Sequence, residues 1–159
     1  MPSFQSMFFA SKGKPISYMG KTLVLIDEFP LNGSRTIRVV FEATGGKYRQ
    51  GIALNYDGSF RVNDQLIKGK GGLVLWRNTA PDEVCIDLVG TTNAVLVSNA
   101  WATKDGTVHA RHNGAAMIVE LLPNGRRYRC NDGLPDDDFD DLIFRVESDS
   151  QFNNSGVAS

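Results

Sequence analysis

Six carboxylates fall within ten residues of this chain: Asp132, Asp136, Asp137, Asp138, Asp140 and Asp141. At that spacing like charges repel strongly unless something positive sits among them. A turn so rich in carboxylate oxygen suits a hard divalent cation, which gathers about six to eight oxygen ligands. Calcium is the ion this turn predicts. The apolar run Leu142, Ile143, Phe144 follows at once, so the acids belong to a turn pinned to a strand rather than to a solvated tail. In an extended segment Asp136, Asp138 and Asp140 share one side, while Asp137 and Phe139 take the other. Phe139 is then expected to anchor the turn in the sandwich core. The alternative is a solvated acidic turn that blunts an edge strand.

The charge balance sharpens this reading. The 159 residues carry 17 Lys and Arg against 18 Asp and Glu, a net of −1. One third of the acids sit in the turn, and the remaining 12 are outnumbered by the bases. A solvated face usually mixes its signs; this segment does not. Nucleic-acid binding calls for a wide basic field, which the net charge argues against. No run approaches the roughly 18–20 apolar residues of a membrane span. The apolar patch Met7–Ala10 precedes Lys12 and Lys14 instead of following a basic stretch, so no secretory signal is read. A soluble protein is expected, cytoplasmic or exported by a non-standard route.

Two familiar calcium templates fail. An EF-hand loop starting at Asp136 would find oxygen donors at Asp138, Asp140 and Glu147, but Asp141 occupies the obligatory glycine position. A strand pattern also follows where a helix should open. A calcium roll needs tandem glycine-rich repeats, and only one acidic segment is present. A third template is a β-sandwich loop that enters a strand. Asn131-Asp132-Gly133, the spacer Leu134-Pro135, and then Asp136 through Asp141 running into Leu142 resemble the small bacterial calcium-dependent lectins that bind fucose and mannose. The resemblance covers about 20 residues. It implies Asp136, Asp138, Asp140 and Asp141 as carboxylate ligands, with Asp132 beside them, and two adjacent calcium ions whose coordination is completed by sugar hydroxyls. It further implies Asn131, Asp136, Asp138 and Asp140 as the ligand-binding residues. The chain departs from that pattern in carrying Asn131 where the family has Glu, a spacer one residue longer, Asp140 for Asn, and a dozen residues after Glu147.

Other candidate groups read as structural. His109 and His112 stand three apart, a helical zinc spacing, but the flanking turn signals place them in a strand, where residues three apart face opposite sides. Arg126, Arg127 and Arg129 surround Tyr128. If Tyr128 and Cys130 pack inward, Arg127 and Arg129 share the outer face and are expected to balance the neighbouring carboxylates. Trp76 and Trp101 could stack on a sugar ring, though core packing is their commoner use. Cys85 and Cys130 lack partners at zinc-finger spacing and read as free thiols. No nucleophile stands in a recognisable catalytic setting, so the chain is read as a non-enzyme.

The elements that must position the turn are strands. Ile37, Val39 and Phe41 alternate with Arg38 and Glu42; Val84, Ile86 and Leu88 alternate likewise; and Leu142, Phe144 and Val146 face away from Arg145 and Glu147. Short apolar runs at Leu23–Ile26, Leu73–Trp76, Ala94–Val97 and Met117–Glu120 have strand length. Asn32-Gly33, Asp57-Gly58, Asp105-Gly106, Asn113-Gly114 and Asn124-Gly125 punctuate them as turns. No helical stripe persists over three turns. The pattern predicts an all-β fold, a single antiparallel β-sandwich of jelly-roll or lectin-like type spanning 1–147, with a loose tail at 148–159. The function expected is calcium-dependent carbohydrate binding, with sugar hydroxyls coordinating the ion and a homo-oligomer supplying multivalency. The alternative is a structural or protein-interaction module rigidified by calcium.

Overall fold

The computed structural model describes residues 4–45, 48–70, 72–110, 115–132 and 139–148 of the chain. It opens with one short helix, α1 (Phe4–Ala10), followed by β1 (Ile16–Tyr18), β2 (Lys21–Val24), β3 (Asp27–Pro30), β4 (Thr36–Thr44) and β5 (Arg49–Asn55). Then come β6 (Ser59–Val62), β7 (Gln65–Lys68), β8 (Leu73–Trp76), β9 (Glu83–Val89) and β10 (Ala94–Ala102). The last four are β11 (Val108–Ala110), β12 (Ala116–Leu122), β13 (Gly125–Asn131) and β14 (Leu142–Ser148).

These strands form two antiparallel sheets packed face to face. One has nine strands in the order β1-β2-β12-β13-β14-β4-β9-β6-β7; the other has β11-β10-β5-β8, with β3 also paired to β10. The expected all-β sandwich is the observed fold. Period-two alternation explains the packing. Ile37, Val39 and Phe41 of β4, Val84, Ile86 and Leu88 of β9, and Phe144 and Val146 of β14 meet Ile52, Leu54, Val95 and Val97 of the smaller sheet in one buried core. Burying each such side chain is worth about 1.5–3 kcal/mol, so the stripe along β4, β9 and β14 is what forces the sheets together.

Glycine matters where backbones crowd. A Cβ on Gly125 would stand 2.0 Å from the Val146 carbonyl oxygen, so only glycine lets β13 begin against β14. The β6–β7 hairpin turns on Asn63 and Asp64, with φ of 50° and 64°. These are the left-handed angles of a type I′ turn, which Asn and Asp tolerate.

A second, smaller core lies outside the sandwich. Phe4 and Phe8, one helical turn apart on α1, pack with Leu23, Ala116 and Phe139. Leu23 and Ala116 belong to the face of the large sheet that points away from the sandwich, since their neighbours Val24 and Met117 fill the main core. The helix therefore caps one end of the large sheet. No helix was expected here; nor were β3, β5, β6 and β7 among the expected strands.

Charges organise the rest of that outer face. Between Ile143 and Phe144 the β14–β4 register shifts, leaving Glu42 out of the ladder. Glu42 accepts hydrogen bonds from Arg127 (2.6 and 3.2 Å) and Arg145 (2.7 Å). Arg129 pairs with Glu120 and Arg38 with Glu147 (2.7 Å). Tyr128 and Cys130 pack inward, as alternation requires, and among the described residues Arg127 pairs with Glu42 and Arg129 with Glu120. Among the described residues, no helix is long and apolar enough to cross a membrane. Ser148 closes β14, paired with Ile37, and residues 149–159 lie outside the described set.

Candidate metal-binding turn

The acidic turn leaves the end of β13 and returns at the start of β14, adjacent strands of one hairpin. Its neck is a knot of buried polar groups. Asn131 and Asp132 are fully buried and Asp141 is 3% exposed. The backbone N–H of Asp132 donates to Asp141 Oδ2 at 2.9 Å, and the Asp141 N–H donates to the Cys130 carbonyl at 3.1 Å. The Phe139 N–H donates to Asn131 Oδ1 at 2.7 Å. The turn is thus closed across its base by its own first and last residues.

The opposite sheet reaches in to hold the same neck. Asn99 of β10 donates from Nδ2 to the Asn131 carbonyl at 2.8 Å, and Gln50 of β5 donates from Nε2 to Asp132 Oδ2 at 2.9 Å. Both amides sit on inward positions of the small sheet, flanking Ile52 and Val97. Gln50 also donates to the Tyr48 carbonyl at 3.2 Å, and its Oε1 is buried without a partner among the described residues. Neither amide figured among the candidates, because an isolated Gln or Asn in a strand leaves no pattern to read.

Phe139 anchors the turn, but not where the alternation suggested. It is 6% exposed, adopts φ of 56°, and packs 5.7 Å from Phe4 in the cluster beneath α1 rather than between the sheets. The left-handed angle turns the chain so that Phe139 faces in, Asp140 faces solvent and Asp141 returns to the neck. A bulky residue tolerates that angle only when its surroundings hold it there. The Asn131 bond and the Phe4 contact do so.

The candidate residues therefore fall into three sets. Asn131, Asp132 and Asp141 are brought together in the buried neck; Asp140 stands exposed beside them; and Asp136 and Asp138, with Asp137, lie outside the described residues. Among the described residues, no three His, Cys, Asp or Glu side chains gather closely enough to hold a metal. The donor chemistry nevertheless fits calcium. The side chains of the turn and its neck carry carboxylate and amide oxygens, a donor type that suits a hard ion rather than zinc. Burial pushes the Cys130 thiol well up, and the neighbouring Asp141 charge adds to the effect, so Cys130 is a protonated core residue. His109 stacks on Trp101 with ring centroids 5.8 Å apart; His112 lies outside the described residues.

At its other end the sandwich is held by one acid. Asp27 of β3 accepts two bonds from Arg126 (3.0 and 2.8 Å) and one from the Tyr128 hydroxyl (2.6 Å). Burial first, then the Asp27 charge, raises the Tyr128 hydroxyl well above its ordinary value, so Tyr128 stays a donor. Compared with protein-family models, curated proteins and solved structures, the chain matches none.

Proposed function

We propose that this protein is a non-enzymatic, calcium-dependent carbohydrate-binding module, with the 132–141 turn as its metal site. In this reading Asp136, Asp138 and Asp140 supply the outward carboxylates. Asp132, Asp141 and Asn131 shape the turn from within. The ion, when bound, offers coordination positions to vicinal sugar hydroxyls. One observation carries the proposal: a turn with six carboxylates is tied shut at a neck held by both sheets. A neck so held keeps the two ends of the turn together, which lowers the ordering cost of closing it around an ion.

A second reading has its own support. Asn131 is wholly buried with its Oδ1 engaged by the Phe139 amide, so it serves the turn rather than reaching a ligand. A calcium ion that only rigidifies the loop, in a module whose partner is protein, accords with that burial. Calorimetric calcium titration with and without a mannose- or fucose-like glycoside separates the two. Sugar and metal strengthen each other only if their sites are coupled. The proposal expects tighter calcium binding with the glycoside present; an unchanged calcium isotherm favours the structural module.

A further inference from the structure

Beside the turn lies a cleft of about 300 Å³, lined by Thr44, Gly45, Tyr48, Arg49, Gln50, Arg77 and Asn78. Its volume is at the lower end for small-molecule sites, the size of a single sugar unit. Gly45 joins it to the turn: its N–H donates to the Asp141 carbonyl at 3.0 Å, and a Cβ there would meet the Asp140 carbonyl oxygen at 3.0 Å.

Two arginines line this space, and the guanidinium of each is braced on an aromatic ring. Arg49 lies 4.2 Å from the centroid of the Trp76 ring, and among the described residues it pairs with no carboxylate. Trp76 can lie flat there because residue 51 is glycine; a Cβ would stand 2.8 Å from the indole. Arg77 rests 5.2 Å from the Phe41 ring and is bonded to Asp82 at 2.6 Å, whose side chain is largely exposed. Its backbone N–H donates to the Gln50 carbonyl, fixing it beside β5. Thr44, Tyr48 and Asn78 add side-chain hydroxyl and amide groups with no hydrogen-bond partner among the described residues.

We propose that this cleft binds an acidic saccharide unit, with its carboxylate on Arg49 and Arg77 and its hydroxyls on Thr44, Tyr48 and Asn78. The saccharide class rests on the function proposed above; the preference for an acidic sugar rests on the cleft alone. Arginine's planar fork matches a carboxylate, and stacking on Trp76 holds one such fork in place before the ligand arrives. The exposed carboxylate of Asp140, whose backbone lies against Gly45, repels an anion until a cation neutralises it, so calcium should strengthen this binding.

The test titrates the full chain with methyl β-glucuronide, methyl β-glucoside and sodium acetate, each in calcium and in EDTA. The expected result is glucuronide binding about tenfold or more tighter than glucoside, no saturable acetate binding, and weaker glucuronide binding in EDTA. Arg49→Ala and Arg77→Ala should each weaken glucuronide about tenfold with the calcium isotherm unchanged. Gly51→Ala, which displaces the indole under Arg49, should weaken it in the same direction. Equal affinity for both glycosides, saturable acetate binding of similar strength, or indifference to both arginine variants overturns the inference. Calcium-dependent binding of neutral glycosides without glucuronide preference removes the cleft assignment and leaves the proposed function standing. Binding of no saccharide under either condition removes both.

Discussion

Asp132 and Asp141, the first and last carboxylates of the turn, are joined directly: the Asp132 amide donates to Asp141 Oδ2 at 2.9 Å, with both residues buried. The pair sets these two acids, which build the neck, apart from Asp140, which is exposed. Asp141→Ala should lower stability by ~1–3 kcal/mol without any metal, because the Asp132 N–H loses its acceptor. Asp140→Ala, at an exposed position, should leave the metal-free stability within ~0.5 kcal/mol while weakening calcium binding. Urea denaturation in EDTA, beside calcium calorimetry, reads both effects. Equal destabilisation by the two variants would contradict this division of labour.

Phe4 lies far from the turn in sequence and touches it through Phe139. Phe4→Ala should cost ~3 kcal/mol by opening a cavity beneath α1, and it should also weaken calcium binding by loosening Phe139. Thermal melts and calcium titration of the same variant check the coupling; a destabilised variant with full calcium affinity would mean that Phe139 does not shape the site.

Asp27 clasps the two sheets through Arg126 and Tyr128. Asp27→Ala should cost ~2–3 kcal/mol, because it strands a partly buried guanidinium and a buried hydroxyl together. Tyr128→Phe should cost nearer ~1 kcal/mol. Chemical denaturation ranks them, and the opposite order would show that the ion pair contributes little.

Glu42 gives a pH test. The hydrogen bond from Arg127, aided by Arg145, holds its carboxyl below the usual glutamate range. Its contribution is therefore full above the unfolded value of ~4.3 and is lost as pH falls through the lower folded value. Glu42→Gln should cost ~1 kcal/mol at pH 7, and the gap from wild type should close as pH falls below ~4. A gap that persists at pH 2 would point to packing rather than charge.

What could be read in the sequence, and what could not, follows from where the signal is local. The alternation of Ile37, Val39 and Phe41, and of Leu142, Phe144 and Val146, is a property of adjacent residues, and it located β4 and β14 with their inward faces. The six acids announced their turn for the same reason. By contrast, β3 hides in Asp27–Pro30, where charge and proline mask an edge strand, and α1 is too short for its Phe4 and Phe8 pair to read as a stripe. The neck of the site depends on contacts across the fold: Gln50 meets Asp132 across 82 residues and Asn99 meets Asn131 across 32. Only folding brings such partners together. The ion pairs show the same limit. Proximity in sequence pointed Arg127 and Arg129 to the acidic turn; the partners that strand register gives them among the described residues are Glu42 and Glu120.

The most direct test of the central claim is a glycan array probed with the full chain in calcium, then in EDTA, then with calcium restored. The account predicts saccharide binding that is present with calcium, vanishes with chelator and returns with the metal, selective for sugars that present chelating hydroxyl pairs. An array blank in calcium, or binding indifferent to EDTA, would contradict it.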